Sequence, residues 1–361
     1  MSNTENLQAF QVRQNDFHEA RWVEQPLAEA RENQLLLKVD RFALTANNIT
    51  YAAYGDILGY WMFYPCAEGW GQIPVWGYAD VIQSGVEGVA VGERLFGYWP
   101  MASHAMLTPK SVDQGTIVEG AEARQQLNPF YNRYSRCSAD PLHNADDEDW
   151  HSIFRPLGLT AFLMNQYLAD RGSWGAEDIV LASASSKTAI GMAHFLRERG
   201  ETRQIGLTSS ANLEFVKSLD LYDDVVEYSD IASLPQDQPS LFIDMAGDAT
   251  VQTSVHEHFG AHLKHSITVG GTHWTAIRPG LPLPGPTPEF FFAPDHIVSR
   301  MSAWGAEAFQ QRFNTAWASL LPRVQTGISL ARQQGPAAVE DVYRAFLDGS
   351  AAANRGYILQ I

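Results

Sequence analysis

Serine, threonine and lysine side chains crowd the stretch LASASSKTAIGMAHFLRERG, residues 181–200, where a predicted strand gives way to a predicted helix. The hydroxyls of Ser185, Ser186 and Thr188 are hydrogen-bond donors, and Lys187 adds a positive charge. The first amides of a helix are donors too, and the helix dipole adds partial positive charge there. This composition predicts a phosphate-binding turn. The alternative is a plain helix N-cap at Ser185 or Ser186, with Lys187 in solvent.

The segments around this turn alternate between strand and helix. Strands are predicted for the apolar runs DIVLAS, RQIGLTS, VVEYS, LFIDMAG and HSITVGG, and helices for TAIGMAHFLRERG and NLEFVKSL. This alternation predicts a parallel sheet with crossover helices, in a doubly wound α/β arrangement. Ligands of such sheets bind at the carboxyl ends of the strands, which is where the turn after DIVLAS lies.

The first third of the chain follows another pattern. Residues 33–45 alternate well enough to predict a strand, and the short β-like runs broken by glycine in residues 77–100 predict a small barrel. Residues 121–150 are polar and predict a long connection or insertion. Residues 308–350 have helical periodicity, and GYILQI at the end predicts a closing strand.

Composition and charge narrow the classes of function. The 361 residues include 25 Lys and Arg against 41 Asp and Glu, a net charge of −16, with no basic run. This argues against binding to nucleic acid or to an anionic membrane surface. No apolar run approaches the roughly 20 residues of a spanning helix, and no secretory signal is recognisable. With only Cys66 and Cys137 present, we expect a protein of the reducing cytoplasm. We expect its partner to be a small-molecule substrate.

The order of these segments resembles the medium-chain dehydrogenase/reductase superfamily over nearly the whole chain. The resemblance is carried by PLGLTAF before a helix, DIVLASASSKTAIGMA, IGLTSSANLEFVKSLDLYDDVVEY, LFIDMAGD, HSITVGGTHW and the terminal VYRAFLDGSAAANRGYILQI. It is closest to the zinc-free quinone oxidoreductases and enoyl reductases. The stretches SASSKTA and FFFAPDHIVSRMSAWG are similar to a DUF2855-type branch of the superfamily.

The resemblance implies a domain plan and an assembly. A β-rich GroES-like catalytic domain is expected at residues 1–150, including the polar insertion near 121–150. A Rossmann-like nucleotide-binding domain is expected at 151–300, and C-terminal helices and a strand at 301–361 are expected to return to the catalytic domain. The resemblance also implies a homodimer.

On the family's pattern, the three glycines of a dinucleotide turn fall near Ser185, Thr188 and Gly191, and only the last is a glycine. Those glycines make a tight turn, admit the pyrophosphate and pack helix against sheet. About 20 residues further on, NAD enzymes carry an acid that binds the ribose 2′-hydroxyl. This chain has hydroxyl side chains there, which favour NADP over NAD: Thr208, Ser209 and Ser210. The alternative is an ordinary strand-to-helix turn with a capping serine.

Other positions of the implied cofactor site follow from the same resemblance. Asn212 stands where NADP-binding relatives often have a basic residue, which leaves Lys217 or Arg203 as substitutes. Further positions lie at strand ends on the nicotinamide side, and the glycines among them either admit a ligand or simply make the turn. They are Asp244, Gly247, Gly270, Gly271 and Thr272.

Residues 45–56, TANNITYAAYGD, correspond to a segment that runs beside the nicotinamide in zinc-free relatives. Asn48 takes approximately the place of their Asp and is expected to orient substrate. Tyr51 and Tyr54 follow it. A tyrosine suits proton donation in a reduction, because a phenol stays neutral until it gives up its proton. The alternative for each tyrosine is a packed ring.

The segment FYNRYSR supplies further candidates for the rim of a substrate cleft. Tyr131 and Tyr134 are the candidate proton donors there, and Arg133 or Arg155 would orient an anionic or carbonyl substrate. Large apolar side chains would line a pocket or belong to the core. These are Trp61, Phe63, Phe290, Phe291 and Phe292.

No metal is expected. The family's first zinc ligand position falls near Thr45, and threonine does not replace cysteine as a zinc ligand. His256, His258, His262 and His265 have spacings that align pairs of them on a helix, but they do not form an H-E-x-x-H motif. We expect them on a solvated outer helix.

These features predict a zinc-independent NADP(H)-dependent oxidoreductase. It would transfer hydride to an activated alkene or carbonyl of a medium-sized acyl or aromatic substrate, with a tyrosine or a water completing proton transfer. One alternative is a non-redox lyase or hydrolase with a degenerate dinucleotide site, although SASSK lacks the S-x-x-K spacing. The other alternative is a small-molecule-binding sensor.

Overall fold

The computed structural model describes residues 6–271 and 282–361 and divides into two compact units. The first unit contains Met1–Ile153, Leu330–Ala351 and Arg355–Ile361, and the second contains Phe154–Ser329 and Ala352–Asn354. The first crossing thus falls three residues beyond the expected boundary at 150. Residues 301–329, expected with the returning C-terminal segment, stay with the second unit.

The first unit is built mainly from antiparallel strands. They are β1 (Asn6–Arg13), β2 (Asp16–Pro26), β3 (Leu35–Leu44), β4 (Trp70–Gly71), β5 (Pro74–Ser84), β6 (Arg94–Pro100), β7 (His104–Leu107), β8 (Pro109–Val112), β9 (Thr116–Glu119) and β10 (Arg133–Arg136). Helix α1 (Ala46–Ala53) follows β3. The β-rich first third is therefore confirmed. The expected connection at 121–150 is not one loop, because it contains short 3-10 turns and β10, which pairs with β6 and β9.

The second unit alternates strands and helices as predicted. In chain order they are α2 (Glu148–Ala169), β11 (Asp178–Ala182), α3 (Lys187–Arg199), β12 (Arg203–Thr208), α4 (Leu213–Ser218), β13 (Asp224–Glu227), β14 (Ser240–Asp244), α5 (Ala249–Phe259), β15 (Leu263–Thr268), β16 (Glu289–Phe290), α6 (Ala293–Trp304) and α7 (Ala306–Gly327). The strands pair in parallel in the order β13-β12-β11-β14-β15-β16. This order confirms the doubly wound arrangement, with its switch point between β11 and β14.

The C-terminal part returns to the first unit as β17 (Ser329–Gln334), α8 (Pro336–Leu347) and β18 (Arg355–Gln360). The closing strand is confirmed, but helical periodicity over all of 308–350 is wrong where β17 interrupts it. Strand pairing overrides the local helical preference there, in the sheet order β17-β18-β3-β5-β6-β10-β9-β8, with β7 also paired to β3. Gly335, with φ of +91°, and Pro336 then restart the chain as α8.

Side-chain alternation explains how the sheet of the second unit presents its faces. Val180 of β11 and Phe242 of β14 point to the same face and pack with Val255 and Phe259 of α5, all of them buried. Because both faces of a parallel sheet are covered, its free polar groups collect at the strand ends. No helix in the described residues is both long and apolar enough to cross a bilayer.

Candidate functional site

The turn between β11 and α3 lies at the switch point of the parallel sheet. Ser183 has a left-handed backbone there, with φ of +54°, a region in which glycine is usual. Its N–H donates to the phenol oxygen of Tyr228 at 3.0 Å, which stabilises this conformation. The hydroxyl of Ser186 caps α3 by accepting from the N–H of Ala189 at 3.2 Å. The capping serine that the sequence left open is therefore Ser186.

Backbone donors remain available at the same turn. Within the described part of the chain, the N–H groups of Ser185, Lys187 and Thr188 have no protein acceptor. The first N–H groups of a helix lack an intrahelical partner, and the helix dipole makes their surroundings favourable to an anion. Such donors fit a pyrophosphate group. An anion held there would be bound chiefly by the backbone.

The side chain of Lys187 does not point to an anion at the turn but bonds a backbone carbonyl. Its Nζ donates to the carbonyl oxygen of Ala353 at 2.5 Å, within the second unit. The residue is partly buried, and burial lowers the pKa of its amine to about 7. The expectation that Lys187 adds a full positive charge to a phosphate site is corrected, because the amine has an acceptor already and is only partly protonated near neutral pH.

Gly191 serves helix packing. It lies inside α3, and a Cβ there would stand 3.2 Å from the Cβ of Ala161 and 3.9 Å from the Cα of Gly158, both on α2. The absence of a side chain lets the two helices approach closely. Of the roles that glycines have in dinucleotide turns, Gly191 therefore keeps a packing role, here between two helices.

The end of β12 carries the three hydroxyls expected to favour NADP. Thr208 is buried, Ser209 Oγ accepts from Nδ2 of Asn212 at 3.3 Å, and Ser210 is exposed. The sequence analysis missed an acid beside them: Glu227, the last residue of β13, pairs in register with Thr208. Neighbouring strands are about 4.8 Å apart, so a carboxylate stands one strand away from these hydroxyls. Only the pairing of β12 with β13 shows this.

The basic residues considered for a 2′-phosphate are both paired with acids. Arg203 begins β12, at the opposite end from the hydroxyls, and forms ion pairs with Asp178 and Asp224. Lys217 pairs with Glu214 of the same short helix at 3.3 Å. The suggestion for Arg203 is wrong, because the length of the strand separates it from the carboxyl edge of the sheet.

The ends of β14 and β15 meet through their backbones. Asp244 Oδ1 accepts from the N–H of Gly247 at 2.9 Å and so shapes the turn after β14. Gly247 has φ of +73°, and a Cβ there would stand 2.7 Å from the carbonyl oxygen of Gly270 and 3.2 Å from the Cα of Gly271. Glycine is required at 247 by both the conformation and this contact. Thr272 lies outside the described residues.

Tyr228 lies near the carboxyl ends of β11 and β14, and the sequence did not mark it as a candidate. Burial raises the pKa of its phenol, the bonds with Ser183 lower it, and the carboxylates of Asp244 and Asp248 raise it again. The phenol therefore stays neutral between the turn after β11 and the acids after β14. In the sequence it is only the residue after a short apolar run, so no local signal marks it.

In the first unit, Asn48 holds the start of α1. Its Oδ1 accepts from the N–H of Thr45 at 2.8 Å, and its Nδ2 donates to the carbonyl oxygen of Pro74 at 2.9 Å. The side chain is buried, and both ends of the amide are engaged. Asn48 therefore acts as a helix cap, and its substrate-orienting role stays a prediction.

Buried tyrosines of the first unit form a group that we call the phenol cluster: Tyr51, Tyr60, Tyr98 and Tyr131. The hydroxyls of Tyr60 and Tyr131 lie 3.0 Å apart. Ring centroids are 4.7 Å apart in the pairs Tyr51–Tyr60 and Tyr98–Tyr131. Trp76 Nε1 donates to the hydroxyl of Tyr51 at 3.1 Å. Two of the tyrosines predicted from the sequence, Tyr51 and Tyr131, are thus brought together by two that were not.

The phenol cluster holds its protons firmly. Burial raises the pKa of Tyr51 to about 12, with the bond from Trp76 acting in the opposite direction. Burial also raises the pKa values of Tyr60, Tyr98 and Tyr131, and neighbouring phenols add to the effect. A phenolate formed at Tyr51 would already have an indole N–H directed at it. The phenols of the cluster are therefore neutral near pH 7, in surroundings from which water is largely excluded.

Tyr134 belongs to a neighbouring buried network, which meets the phenol cluster at the backbone carbonyl of Tyr98. Its hydroxyl accepts from Nη1 of Arg124 at 2.9 Å and donates to the carbonyl oxygen of Tyr98 at 3.0 Å. Tyr64 donates to the same carbonyl at 2.5 Å, and Nε of Arg124 donates to the carbonyl oxygen of Phe63 at 2.9 Å. Tyr134 has no exposed surface, so its expected position on a cleft rim is corrected to one in the core.

The remaining candidates lie apart from these groups. Tyr54 is partly buried and directly follows α1 as its C-cap, and its role as a proton donor stays a prediction. Arg133 is exposed and reaches the hydroxyl of Thr116 at 3.4 Å, while Arg155 lies within α2. Of the apolar candidates, Phe290 is exposed and Phe292 partly buried, whereas the others are core residues: Trp61, Phe63 and Phe291.

The four histidines do not share one helix face, because α5 ends at Phe259. His256 is buried between the carbonyl oxygen of Pro284 and the hydroxyl of Ser266, each 2.9 Å away. His265 bonds Glu289 at 2.8 Å. Within the described residues, no three His, Cys, Asp or Glu side chains come together as a metal ion would require.

Comparison with known families gives one assignment. The family described as "Protein of unknown function (DUF2855)" matches residues 42–352, most of the chain. The chain belongs to the DUF2855 family. No curated protein sequence matches it.

Solved structures agree with this DUF2855 chain in fold over the full length. CurA from Vibrio vulnificus in complex with NADPH superposes with a TM-score of 0.62 at 14% identity, covering 98% of each chain. The mitochondrial 2-enoyl thioester reductase heterodimer from Candida tropicalis gives a TM-score of 0.56 at 10% identity, covering 99% of this chain and 100% of that one. These likenesses establish the predicted fold, a Rossmann-like sheet with a separate β-rich domain.

Proposed function

We propose that this DUF2855 chain is a zinc-independent reductase that uses NADPH to reduce an activated alkene or carbonyl in a medium-sized acyl or aromatic substrate. The observation that carries the proposal is the turn at the start of α3, with backbone N–H groups free at the switch point of a sheet ordered β13-β12-β11-β14-β15-β16. The likeness to CurA with bound NADPH supports the choice of ligand.

The residues of the second unit would hold the dinucleotide mainly by backbone. The N–H groups of Ser185, Lys187 and Thr188 would bind the pyrophosphate, and Gly247 would keep the strand ends close. When bound, NADPH supplies the hydride. Glu227 stands near the hydroxyls that would bind a 2′-phosphate and opposes that charge. We nevertheless propose that NADPH binds more tightly than NADH, which the likeness to CurA with bound NADPH supports.

The phenol cluster of the first unit would supply the proton. Tyr51 is the best donor, because the indole N–H of Trp76 already points at its oxygen and would stabilise the phenolate. Tyr131 bonds Tyr60 and is the second choice. A high pKa suits this task, since the proton is released only to the strongly basic centre that hydride addition creates.

The lyase or hydrolase alternative loses its chemical basis at the turn. A Ser–Lys pair would need a free hydroxyl and a nearby amine. The Ser186 hydroxyl caps α3, and the Lys187 amine donates to Ala353. No observation favours a sensor over an enzyme. The cytoplasmic location stays a prediction.

We also propose a homodimer formed along the edge of the parallel sheet. Strand β16 is the outer strand of the described sheet, and Phe290 on it is 43% exposed. An exposed apolar side chain on an outer strand favours contact with a second copy. Sedimentation equilibrium on the wild type and on Phe290→Lys tests this: the wild type should sediment as a dimer and the variant as a monomer. A monomeric wild type would contradict it.

The activity is tested with NADPH carrying deuterium at C4, each hydride face in turn, against a panel of enones, quinones and enoyl thioesters. We expect NADPH consumption with deuterium appearing in a carbon–deuterium bond of the product, and no loss of rate in the presence of a strong zinc chelator. Product formed without deuterium would contradict hydride transfer, and loss of rate with the chelator would contradict zinc independence.

A further inference from the structure

A small cavity of the first unit shares no lining residue with the α3 turn or with the phenol cluster. It has a volume of about 220 Å³ and opens beside the outer strand β17. Polar side chains from β3, α2, β17 and β18 line most of it: Arg41, Asp149, Arg332, Gln333, Gln334 and Gln360. We call it the arginine cavity. All of its lining belongs to one unit.

One buried carboxylate fixes both arginines of the arginine cavity. Asp149 is 3% exposed, its Oδ1 accepts from Nη1 of Arg41 at 3.1 Å, and its Oδ2 accepts from Nε of Arg332 at 2.5 Å. Nε of Arg41 is held in turn by Asp40 at 2.8 Å. The Arg41 guanidinium is thereby oriented before any ligand arrives, which lowers the entropic cost of binding one. The side chain of Arg332 is 67% exposed and is bonded to Asp149 through Nε.

Several donors beside the cavity have no acceptor in the protein. Among the described residues, nothing accepts from Nη2 of Arg41 or from Nη1 and Nη2 of Arg332. The side-chain amides of Gln333 and Gln334 are likewise without a protein partner in that part of the chain. The two terminal nitrogens of a guanidinium form a planar fork that matches two oxygens of a carboxylate or phosphate.

The unfilled donors of the lining point to the sign of the ligand. The charges themselves are balanced, because Arg41 and Arg332 face Asp149 and Asp40, and Asp40 accepts from Nε of Arg41 and from Nε2 of Gln360. A cation would face the guanidinium groups, whereas an anion would complete their hydrogen bonds. We propose that the arginine cavity binds a small oxyanion, either a short organic acid or inorganic phosphate, through Arg41 and Arg332. This site is independent of the proposed reductase activity.

The test is calorimetric titration of the full chain with malonate and, separately, with inorganic phosphate, at ionic strength held constant with chloride. We expect saturable binding of at least one of them, weakened roughly tenfold or more in Arg332→Gln, where the fork is lost. Arg332→Lys keeps the charge without the fork and should weaken binding also. Arg133→Gln, which removes an exposed arginine of the same unit, is the matched control and should bind as the wild type does.

Phosphate has a second place to bind, at the α3 turn, and the variants separate the two. Binding at the turn would survive Arg332→Gln and weaken in Lys187→Pro, and that outcome would overturn the proposal. Absence of saturable binding of either anion to the wild type would overturn it too. If the wild type binds one of the two anions and Arg332→Gln does not, the proposal is supported. The anion that binds is then the ligand class of the site.

Discussion

The turn at the start of α3 and the phenol cluster use their polar groups in opposite ways. At the turn, the side chains of Ser186 and Lys187 are engaged within the protein and the backbone N–H groups are left free. In the phenol cluster, the side-chain hydroxyls bond one another and the indole of Trp76, and the proposed proton donation would depend on them. A phosphate turn can therefore lose its glycines and keep its donors. The proton donation proposed for the phenol cluster would have no such tolerance, because it depends on the phenol groups themselves.

The largest effect on the reaction rate is expected for Tyr51→Phe, which removes the proposed proton donor. Loss of the phenol proton should lower kcat of the reductase by about 10²- to 10⁴-fold, the usual contribution of a positioned general acid, while NADPH affinity stays unchanged. Steady-state kinetics on the best substrate of the panel, together with NADPH titration, measures both.

Tyr134→Phe is the matched control, since it removes an equally buried phenol from the Arg124 network. It should lower the free energy of unfolding by about 1 to 3 kcal/mol and leave kcat of the folded fraction unchanged. Equal losses of kcat in the two variants would show that burial of a phenol, and not proton donation by Tyr51, sets the rate.

A smaller effect, on stability alone, is expected for Lys187→Met. Met has a similar length and no charge, so it removes the cost of burying an ammonium group. At about 1.4 kcal/mol per pKa unit, and discounted for partial exposure, the variant should be more stable than the wild type by roughly 1 to 3 kcal/mol at pH 7. Urea denaturation measures the difference.

The sign of the pH dependence follows from the lowered pKa. Lys187 has a pKa of about 7 in the folded chain against 10.5 for the free side chain. Between these values the unfolded chain binds more protons, so the stability of the wild type rises with pH. The advantage of Lys187→Met should therefore be full at pH 7 and below and shrink towards pH 9 and 10. If Lys187→Met is less stable than the wild type at every pH, the Lys187 ammonium is charged and stabilises the fold, which contradicts the prediction.

The smallest effect is expected for Tyr228→Phe. The change removes the acceptor of the Ser183 N–H and should cost about 1 kcal/mol of unfolding free energy. Because that N–H becomes one more donor at the turn, NADPH should bind as tightly as before or slightly more tightly. Denaturation and titration on the same sample test both. A large loss of NADPH affinity would show that the phenol itself contacts the cofactor.

The sequence predicted the layers well, because strand and helix periodicities are local. DIVLAS and LFIDMAG became parallel strands as expected, and the structure shows that they are neighbours. It predicted individual roles less well wherever a distant partner decides them. Lys187 was expected to face a phosphate, and its acceptor is Ala353, which is 166 residues away. Glu227 stands beside Thr208 only through strand pairing.

The phenol cluster shows the same limit in the first unit. Tyr51 and Tyr131 were selected for their chemistry, and both are in the cluster. In the sequence, Tyr98 is one residue of the strand segment LFGYWP and Tyr60 one residue of the apolar run GYWMFYP. No local pattern marked either of them as a functional residue. Tyr134 lies in the same segment as Tyr131, and the sequence gives no sign that it bonds the buried Arg124 instead of joining the cluster.

The most direct test of the account is calorimetric titration of the wild type, Lys187→Met and Lys187→Pro with NADPH and NADH. Ser186 has the extended backbone that a following proline requires, and Lys187 is the first helical residue, so proline fits there and removes only the N–H and the side chain. The account predicts micromolar NADPH binding that Lys187→Met retains and Lys187→Pro weakens by roughly tenfold or more. Equal binding by the two variants, or no binding of either dinucleotide to the wild type, would contradict it.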